Sequence, residues 1–531
     1  MTTKLEYTPL DEINQIHARL HASFRTGKTK PIDARKENIV KFAYMIKDNV
    51  EALQDALAVD LGRPKLESSF LEIDPLIKES IEVYKSVEKW AQPDKAPFSL
   101  NFAPMKPVVR KEPKGAVLVI SPFNYPVWLA FSPVIGAIAA GCTVALKPSE
   151  LTPATSTLLA SLVAKYLPSD VVTVVNGAIP ETTRLLDLPW GHIMYTGGGN
   201  VGRIVATAAA KHLTPVTLEV RPVLPTPLFY YLQKPRHHRP RIGHESRARR
   251  ILWGKTINAG QTCVAPDYVL VPREGQDALV RELEVAYKEF YPQGAKSSDS
   301  YSRIISAGHW DRLKGMLDGT DGKVVLGGGS DADRDSKFIA PTVVKDVGGD
   351  DALMKSEIFG PILPIVPVKD VDAAIEYVNA KALASSDHPL ALYVFTKNPS
   401  HLTKSLSLVV FDNTQSGAAV ANDLIIHIAG STAFLSAGLV LPDTEHILQS
   451  SRLIPLPTSV LPSTRLGFGP DTWGAVPSLH AAKAKKLSGL NPVTLPFPRP
   501  GTKAAGPWSK WATIMGVLAV LSAAFAKYSK K

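Results

Sequence analysis

Two cysteines, Cys142 and Cys263, are the strongest nucleophiles in this 531-residue chain. Cys142 lies in AGCTVAL, an apolar strand-like run where a lone cysteine behaves as a small buried hydrophobe. Cys263 lies in NAGQTCVAPDYV, behind Gly260, Gln261 and Thr262, which would let backbone amides approach a thiolate and help stabilise it. Glu219 ends the apolar strand PVTLEV, where a carboxylate is costly unless it has a task or a partner. An edge position or a salt bridge accounts for Glu219 as well as catalysis does. Asn124, in SPFNYPVW, is stiffened by Pro122 and Pro126. Its side-chain amide can donate to a developing oxyanion, or the residue can simply turn the chain.

A second set of residues suits a phosphate-bearing ligand. Gly197, Gly198, Gly199 and Gly202 follow the strand HIMYT and open a helix. Such a turn presents backbone amides to an anion, or is only a tight turn. Lys147 and Glu150, in KPSE, end a neighbouring strand and can bind ribose hydroxyls or stay solvated.

The elements that must position these residues read clearly. The start of the chain, to about residue 24, forms an amphipathic helix, and residues 32–60 and 67–91 form two more. No N-terminal signal peptide is visible. GAVLVISPFNYP (115–126) is a strand running into a Pro-bounded loop, TVALKPSE (143–150) a strand ending in a polar turn, VVTVVNGA (171–178) a third strand, and HIMYTGGGNVGR (192–203) a strand, a glycine-rich turn and a helix start. Strands alternating with helices in this way are the mark of a parallel α/β sheet. Such sheets bind ligands at the carboxyl ends of their strands, where each polar loop above begins. A second α/β region spans residues 251–410.

Composition narrows the functional classes. With 45% hydrophobic and 21% charged residues, the chain is an ordinary globular protein rather than a disordered one. Two cysteines exclude a disulfide scaffold and any Cys-rich metal site. The net charge of +11 is carried by two segments. Residues 221–250 hold eight Lys/Arg against one acid, and residues 501–531 hold five Lys and no acid. The stretch 234–250 lacks interleaved aromatics and any recognition motif, so a nucleic-acid partner is not expected. Residues 511–526 are 16 uncharged residues between Lys510 and Lys527. A helix of that length spans roughly 24 Å of a ~30 Å hydrocarbon core, and Trp508, Trp511 and the lysines extend it. Residues 508–527 therefore read as a membrane anchor closing the chain.

No one of these features is decisive; their order is. SPFNYPVWL, LKPSE, YTGGGNVGR, TLE, GQTC and EIFGP, in that order, resemble the aldehyde dehydrogenase superfamily. ILWGKTINAGQTCVAPDYVLVP (251–272) and NTQSGAAVANDLIIH (413–427) resemble its class 3, fatty-aldehyde branch. The resemblance implies an α/β fold: a Rossmann-type cofactor domain, an α/β catalytic domain and a small β oligomerisation arm. It places the dinucleotide-binding domain at 1–97 and 113–218, the catalytic domain at 219–410, and bridging or oligomerisation segments at 98–112 and 411–432. It implies Cys263 as nucleophile, Glu219 as general base and Asn124 as oxyanion donor. It matches Lys147 and Glu150 to the adenosine ribose, Gly197 and Gly202 to the pyrophosphate, and Glu357 and Phe359 to the nicotinamide ribose. The cofactor is NAD or NADP, with no metal. The implied reaction oxidises long-chain apolar aldehydes, fatty or apocarotenoid, to acids through a thiohemiacetal and a thioester. The alternative is an impaired relative that binds cofactor or acts as a scaffold. A homodimer is implied, tail-anchored in a membrane, the endoplasmic reticulum first, with its catalytic part in the cytosol.

The sequence leaves the family pattern twice. TLEVRPVLP stands where TLELGGKSP is expected, and a basic, Pro-rich block runs to residue 250, so that Cys263 comes 44 positions after Glu219. After LIIH, a Leu/Ser/Pro-rich stretch over 433–482 replaces a glycine-rich run. Both read as retained intron or frame-shifted sequence. Sequencing the transcript is expected to find neither segment encoded in frame; a transcript that encodes both refutes this reading.

Overall fold

A computed structural model of the chain describes residues 5–221, 227–230, 244–329, 332–385, 388–396, 406–425 and 494–501. The segment 433–482 and the expected anchor at 508–527 lie outside the described residues. Among the described residues, no helix is long and apolar enough to cross a membrane.

The first helix, α1 (Leu10–Arg25), buries Ile13, Ile16 and Leu20, one stripe at helical spacing. The helix expected over 32–60 is two, α2 (Ile32–Lys47) and α3 (Val50–Leu61), broken at Asn49. The one expected over 67–91 is interrupted as well. It runs from α4 (Lys65–Ser68) through a π-helical turn at Ser69–Ile73 into α5 (Asp74–Trp90). Such widened turns let a helix aim a side chain that regular geometry would point elsewhere. Here Glu72 is buried inside the turn.

A two-stranded ribbon, β1 (Asp94–Lys95) with β2 (Val108–Val109), leaves the body of the fold. The cofactor sheet follows: β3 (Ala116–Ile120), α6 (Trp128–Ala140), β4 (Thr143–Lys147), α7 (Pro153–Tyr166), β5 (Val172–Val174), α8 (Ile179–Leu186), β6 (His192–Gly198), α9 (Gly199–Ala210) and β7 (Val216–Arg221). Its strand order is β5-β4-β3-β6-β7, all parallel. Every residue of β3 and β4 is buried, as a central strand covered by helices on both faces requires. From β3 the chain winds outward through β4 and β5; from β6 it winds the other way. The crevice beyond the carboxyl ends of β3 and β6 is thus the switch point where such sheets hold dinucleotides.

The second sheet is built from β8 (Pro227–Tyr230), α10 (His244–Thr256), β9 (Tyr268–Pro272), α11 (Gln276–Phe290), α12 (Ala307–Asp318), β10 (Lys323–Leu326), β11 (Thr342–Lys345), β12 (Ile362–Val368), α13 (Val371–Ser385), β13 (Ala391–Phe395), α14 (Leu406–Asp412) and β14 (Ala418–Ala421). Its order is β10-β11-β12-β9-β8-β13-β14, parallel except at β10.

Two expectations about boundaries change here. Residues 227–230, grouped by composition with the aberrant basic block, form a fully buried strand in the middle of the catalytic sheet. A 30-residue average of charge and proline hid the apolar run PLFY. Arg247 and Arg250 of the same block are buried; Arg247 donates to the Thr396 carbonyl and Arg250 pairs with Asp423. Arg249 forms two hydrogen bonds to Glu289. Arg247 and Arg250 are internal parts of the catalytic half, and Arg249 pairs nearer its surface. Likewise, β14 joins the edge of the catalytic sheet beside β13, so residues 418–421 of the expected 411–432 bridging segment belong to that sheet.

His192, at the start of β6, is fully buried between the Lys114 ammonium, 3.2 Å from Nδ1, and the Thr217 hydroxyl, 2.9 Å from Nε2. Burial, with Lys114 adding to it, lowers its pKa from 6.5 to about 3. The unfolded chain therefore binds a proton that the fold refuses. Stability is expected to fall as pH drops below 6.5 toward about 3. Urea midpoints measured across that range check this, and His192→Gln should flatten the slope.

Candidate active site

The nucleophile loop is shaped by backbone that few residues adopt. Helix α10 ends in a 3₁₀ turn, Ile257–Gly260, in which Asn258 (φ 50°), Ala259 (φ 50°) and Gly260 (φ 75°) are all left-handed. Three such residues in a row need external support. The buried side chains of Asn258 and Gln261 supply it. Asn258 Nδ2 donates to the carbonyls of Gln261 (3.0 Å) and Asn124 (2.8 Å). Gln261 Nε2 donates to the Asn258 and Arg303 carbonyls (3.0 Å each), and its Oε1 accepts the Ile305 amide (2.9 Å). Cys263 follows immediately and is partly exposed. Cys142, by contrast, is buried, and burial pushes its thiol up to about 11, which keeps it an inert core residue.

Two other motif loops converge on this one. Asn124 lies in the loop after β3 and is buried. Beside it, the Tyr125 hydroxyl is 2.6 Å from that of Thr262, the residue before Cys263. Burial raises the Tyr125 phenol, which stays neutral. The EIFGP loop passes so close to Gly260 that a Cβ there would lie 2.2 Å from the Gly360 carbonyl. That loop is clamped from both sides. Arg312 donates to the Glu357 carbonyl (3.2 Å) and the Ile358 carbonyl (2.6 Å). Asp267 accepts the Ile358 amide at 3.1 Å, with the buried Lys255 ammonium 3.7 Å away. The clamp holds Phe359 in a left-handed conformation (φ 48°), its ring edge-on to Phe123 at 5.9 Å.

The remaining expected residues line the carboxyl ends of the cofactor sheet. Lys147 ends β4 with its side chain buried, its ammonium 2.6 Å from the Glu150 carboxylate. Gly197 and Gly198 end β6 at the start of α9. A Cβ on Gly197 would strike the Tyr195 phenol at 2.3 Å, whereas one on Gly198 would meet open space. Gly202 is buried within α9. An open helix start and a Lys–Glu pair, both at the carboxyl ends of one parallel sheet, fit a dinucleotide. Glu219 is placed by the β6–β7 register opposite Thr196; it is partly buried, and that burial raises its carboxyl above the ordinary range.

The chain matches the family model described as "Aldehyde dehydrogenase family" over residues 3–229 and 239–431. The chain belongs to the aldehyde dehydrogenase family. It is thus an NAD(P)-dependent aldehyde dehydrogenase in class, using NAD or NADP. It is 38% identical over 420 residues to the dimeric NADP-preferring aldehyde dehydrogenase of Canis lupus familiaris, covering 79% of this chain and 87% of that one. It is 37% identical over 430 residues to the beta-apo-4'-carotenal oxygenase of Neurospora crassa, covering 80% and 76%. The solved structure of the substrate-bound state of Staphylococcus aureus AldH superposes with a TM-score of 0.72 at 36% identity, covering 78% of this chain and 86% of that one.

Reading the sequence missed the supporting side chains: Arg63, Glu67, Glu72, Asn258, Gln261, Asp267 and Arg312. DLGRPKLESSFLE carries no motif that marks its charges as buried.

Gly260→Ala is expected to cost about 2 kcal/mol or more, from left-handed strain and the clash with Gly360. Urea denaturation measures this, and cofactor affinity should weaken with it because the EIFGP loop must move.

Proposed function

We propose that this chain oxidises long-chain apolar aldehydes to carboxylic acids, with Cys263 as nucleophile, Asn124 as oxyanion donor and Glu219 as general base. The observation that carries this reading is the stitching of the Asn124 and Cys263 loops through Asn258, which donates to both. A thiolate at Cys263 attacks the aldehyde carbon and gives a thiohemiacetal. The Asn124 amide and the Cys263 backbone N–H would stabilise the oxyanion; losing one such donor typically costs about 2.7–4 kcal/mol of barrier. Bound NAD or NADP supplies the hydride acceptor. Lys147 and Glu150 would bind its adenosine ribose, the amides after Gly197 its pyrophosphate, and Glu357 and Phe359 would contact the nicotinamide ribose. Glu219 then takes a proton from the water that hydrolyses the Cys263 thioester.

Substrate length is supported by the carotenal named for one relative and by the apolar tail expected to anchor the chain in a membrane, the endoplasmic reticulum first. A homodimer is supported by the word "dimeric" in the name of another relative. It is supported also by the loop between β1 and β2, which leaves Phe98, Leu100, Phe102 and Met105 exposed to water.

Purified protein with hexadecanal should reduce NAD or NADP, and Cys263→Ala should abolish turnover while cofactor binding persists. Folded, cofactor-binding protein without turnover would favour a scaffold role instead. The raised Glu219 carboxyl must be ionised to act, so the rate should climb with pH through a value above the ordinary 4.5. Glu219→Gln should remove that limb.

A further inference from the structure

Arg63 is one of the buried cations that the proposed reaction does not use. Arg63, just after α3, is fully buried. Its guanidinium pairs with the Glu72 carboxylate in the π-helical turn, and its NH2 donates to the Asn124 carbonyl at 2.5 Å. It lies over the Tyr125 ring, 4.9 Å from its centroid. Its Nε is 3.8 Å from Glu67 Oε1.

Each partner reaches one of the reacting loops. Glu67 Oε1 accepts the amide of Asn258 at 2.7 Å, in the strained turn that leads to Cys263. Glu72 Oε2 accepts the amides of Val127 and Trp128 (2.8 and 2.9 Å), at the start of α6 just beyond Asn124. Tyr125 reaches Thr262, as described. The Asn124 carbonyl receives two donors, Arg63 and Asn258. The backbone of the proposed oxyanion donor is therefore fixed from both sides, once from the N-terminal helices and once from the nucleophile loop.

We infer that Arg63 is a positioning residue: it sets the Asn124 amide against Cys263 through the Asn124 carbonyl, with Glu72 and Glu67 as its counter-charges. The inference rests on the proposed roles of Asn124 and Cys263. With its side chain wholly buried among protein partners, Arg63 acts through other residues. Its effect belongs in the step where the oxyanion forms, because a planar guanidinium holds its donors in fixed directions while a flexible ammonium does not. Lysine at this position keeps the charge opposite Glu72 and loses the simultaneous grip on Glu72 and Asn124.

The test compares Arg63→Lys, Asn124→Ala and the double variant in the hexadecanal assay. Arg63→Lys should lower kcat about tenfold or more, as small misplacements of a catalytic group do. KM for the cofactor and the rate of Cys263 alkylation by iodoacetamide should stay within about twofold. The double variant should be no slower than Asn124→Ala alone, since Arg63 acts only through Asn124. A merely structural role for Arg63 gives additive losses and a slower alkylation. An unchanged kcat in folded Arg63→Lys, or additive losses, overturns the inference. If Asn124→Ala itself leaves kcat unchanged, the proposed oxyanion role fails, and the positioning role with it. Should Arg63→Lys fail to fold, Glu67→Gln, which leaves the Arg63–Glu72 pair in place, takes its place in the same cycle. It should lower kcat by a factor of several with the cofactor KM retained; no change in kcat refutes the network.

Discussion

A guanidinium that is wholly removed from water must find its counter-charge and hydrogen-bond partners inside the protein. Breaking such a buried pair by removing one partner typically costs about 3–5 kcal/mol. Around Arg63 this requirement organises the site. The π-helical turn presents Glu72 to it, the loop after β3 presents the Asn124 carbonyl, and Tyr125 lies beneath it. Glu72 in turn takes the first amides of α6, groups that a helix start leaves unsatisfied. One desolvated cation thereby fixes a helix start, a strand exit and an approach to the nucleophile.

The same economy recurs around the other loops. Each of these loops has left-handed backbone, and each is held by hydrogen bonds from polar side chains. Asn258 and Gln261 brace three consecutive left-handed residues. Arg312 and Asp267 clamp a loop whose Phe359 is left-handed. Glycine at 260 is demanded twice, by its φ of 75° and by the Gly360 carbonyl where its Cβ would be. Strain of this kind persists only where the surroundings over-determine it. The cofactor-side and catalytic-side loops thus form one rigid unit.

The basic block after Glu219 illustrates a limit of composition. Eight Lys/Arg among 30 residues suggest a solvated or foreign segment. Yet Arg247 and Arg250 are buried with backbone carbonyl and carboxylate partners, and Leu228, Phe229 and Tyr230 are core. Burial depends on which strand or helix a residue joins, and a window average of charge carries no such information.

The sequence by itself determined the α/β alternation, the parallel sheets, and the order of the candidate reactive residues. Hydrophobic runs between glycine- and proline-bounded loops dictate strands locally, and the order of the motifs that hold Cys263, Glu219 and Asn124 makes these residues candidates where no one of them does so alone. It also distinguished Cys142 from Cys263, because AGCTVAL is apolar throughout and GQTC is not. Only the tertiary structure decided which loops meet and what supports them. Arg63 and Asn124 are 61 residues apart, and Glu67 and Asn258 are 191 apart. No local propensity links residues so distant. Their pairing follows from tertiary packing, which brings distant polar groups together where water no longer reaches them.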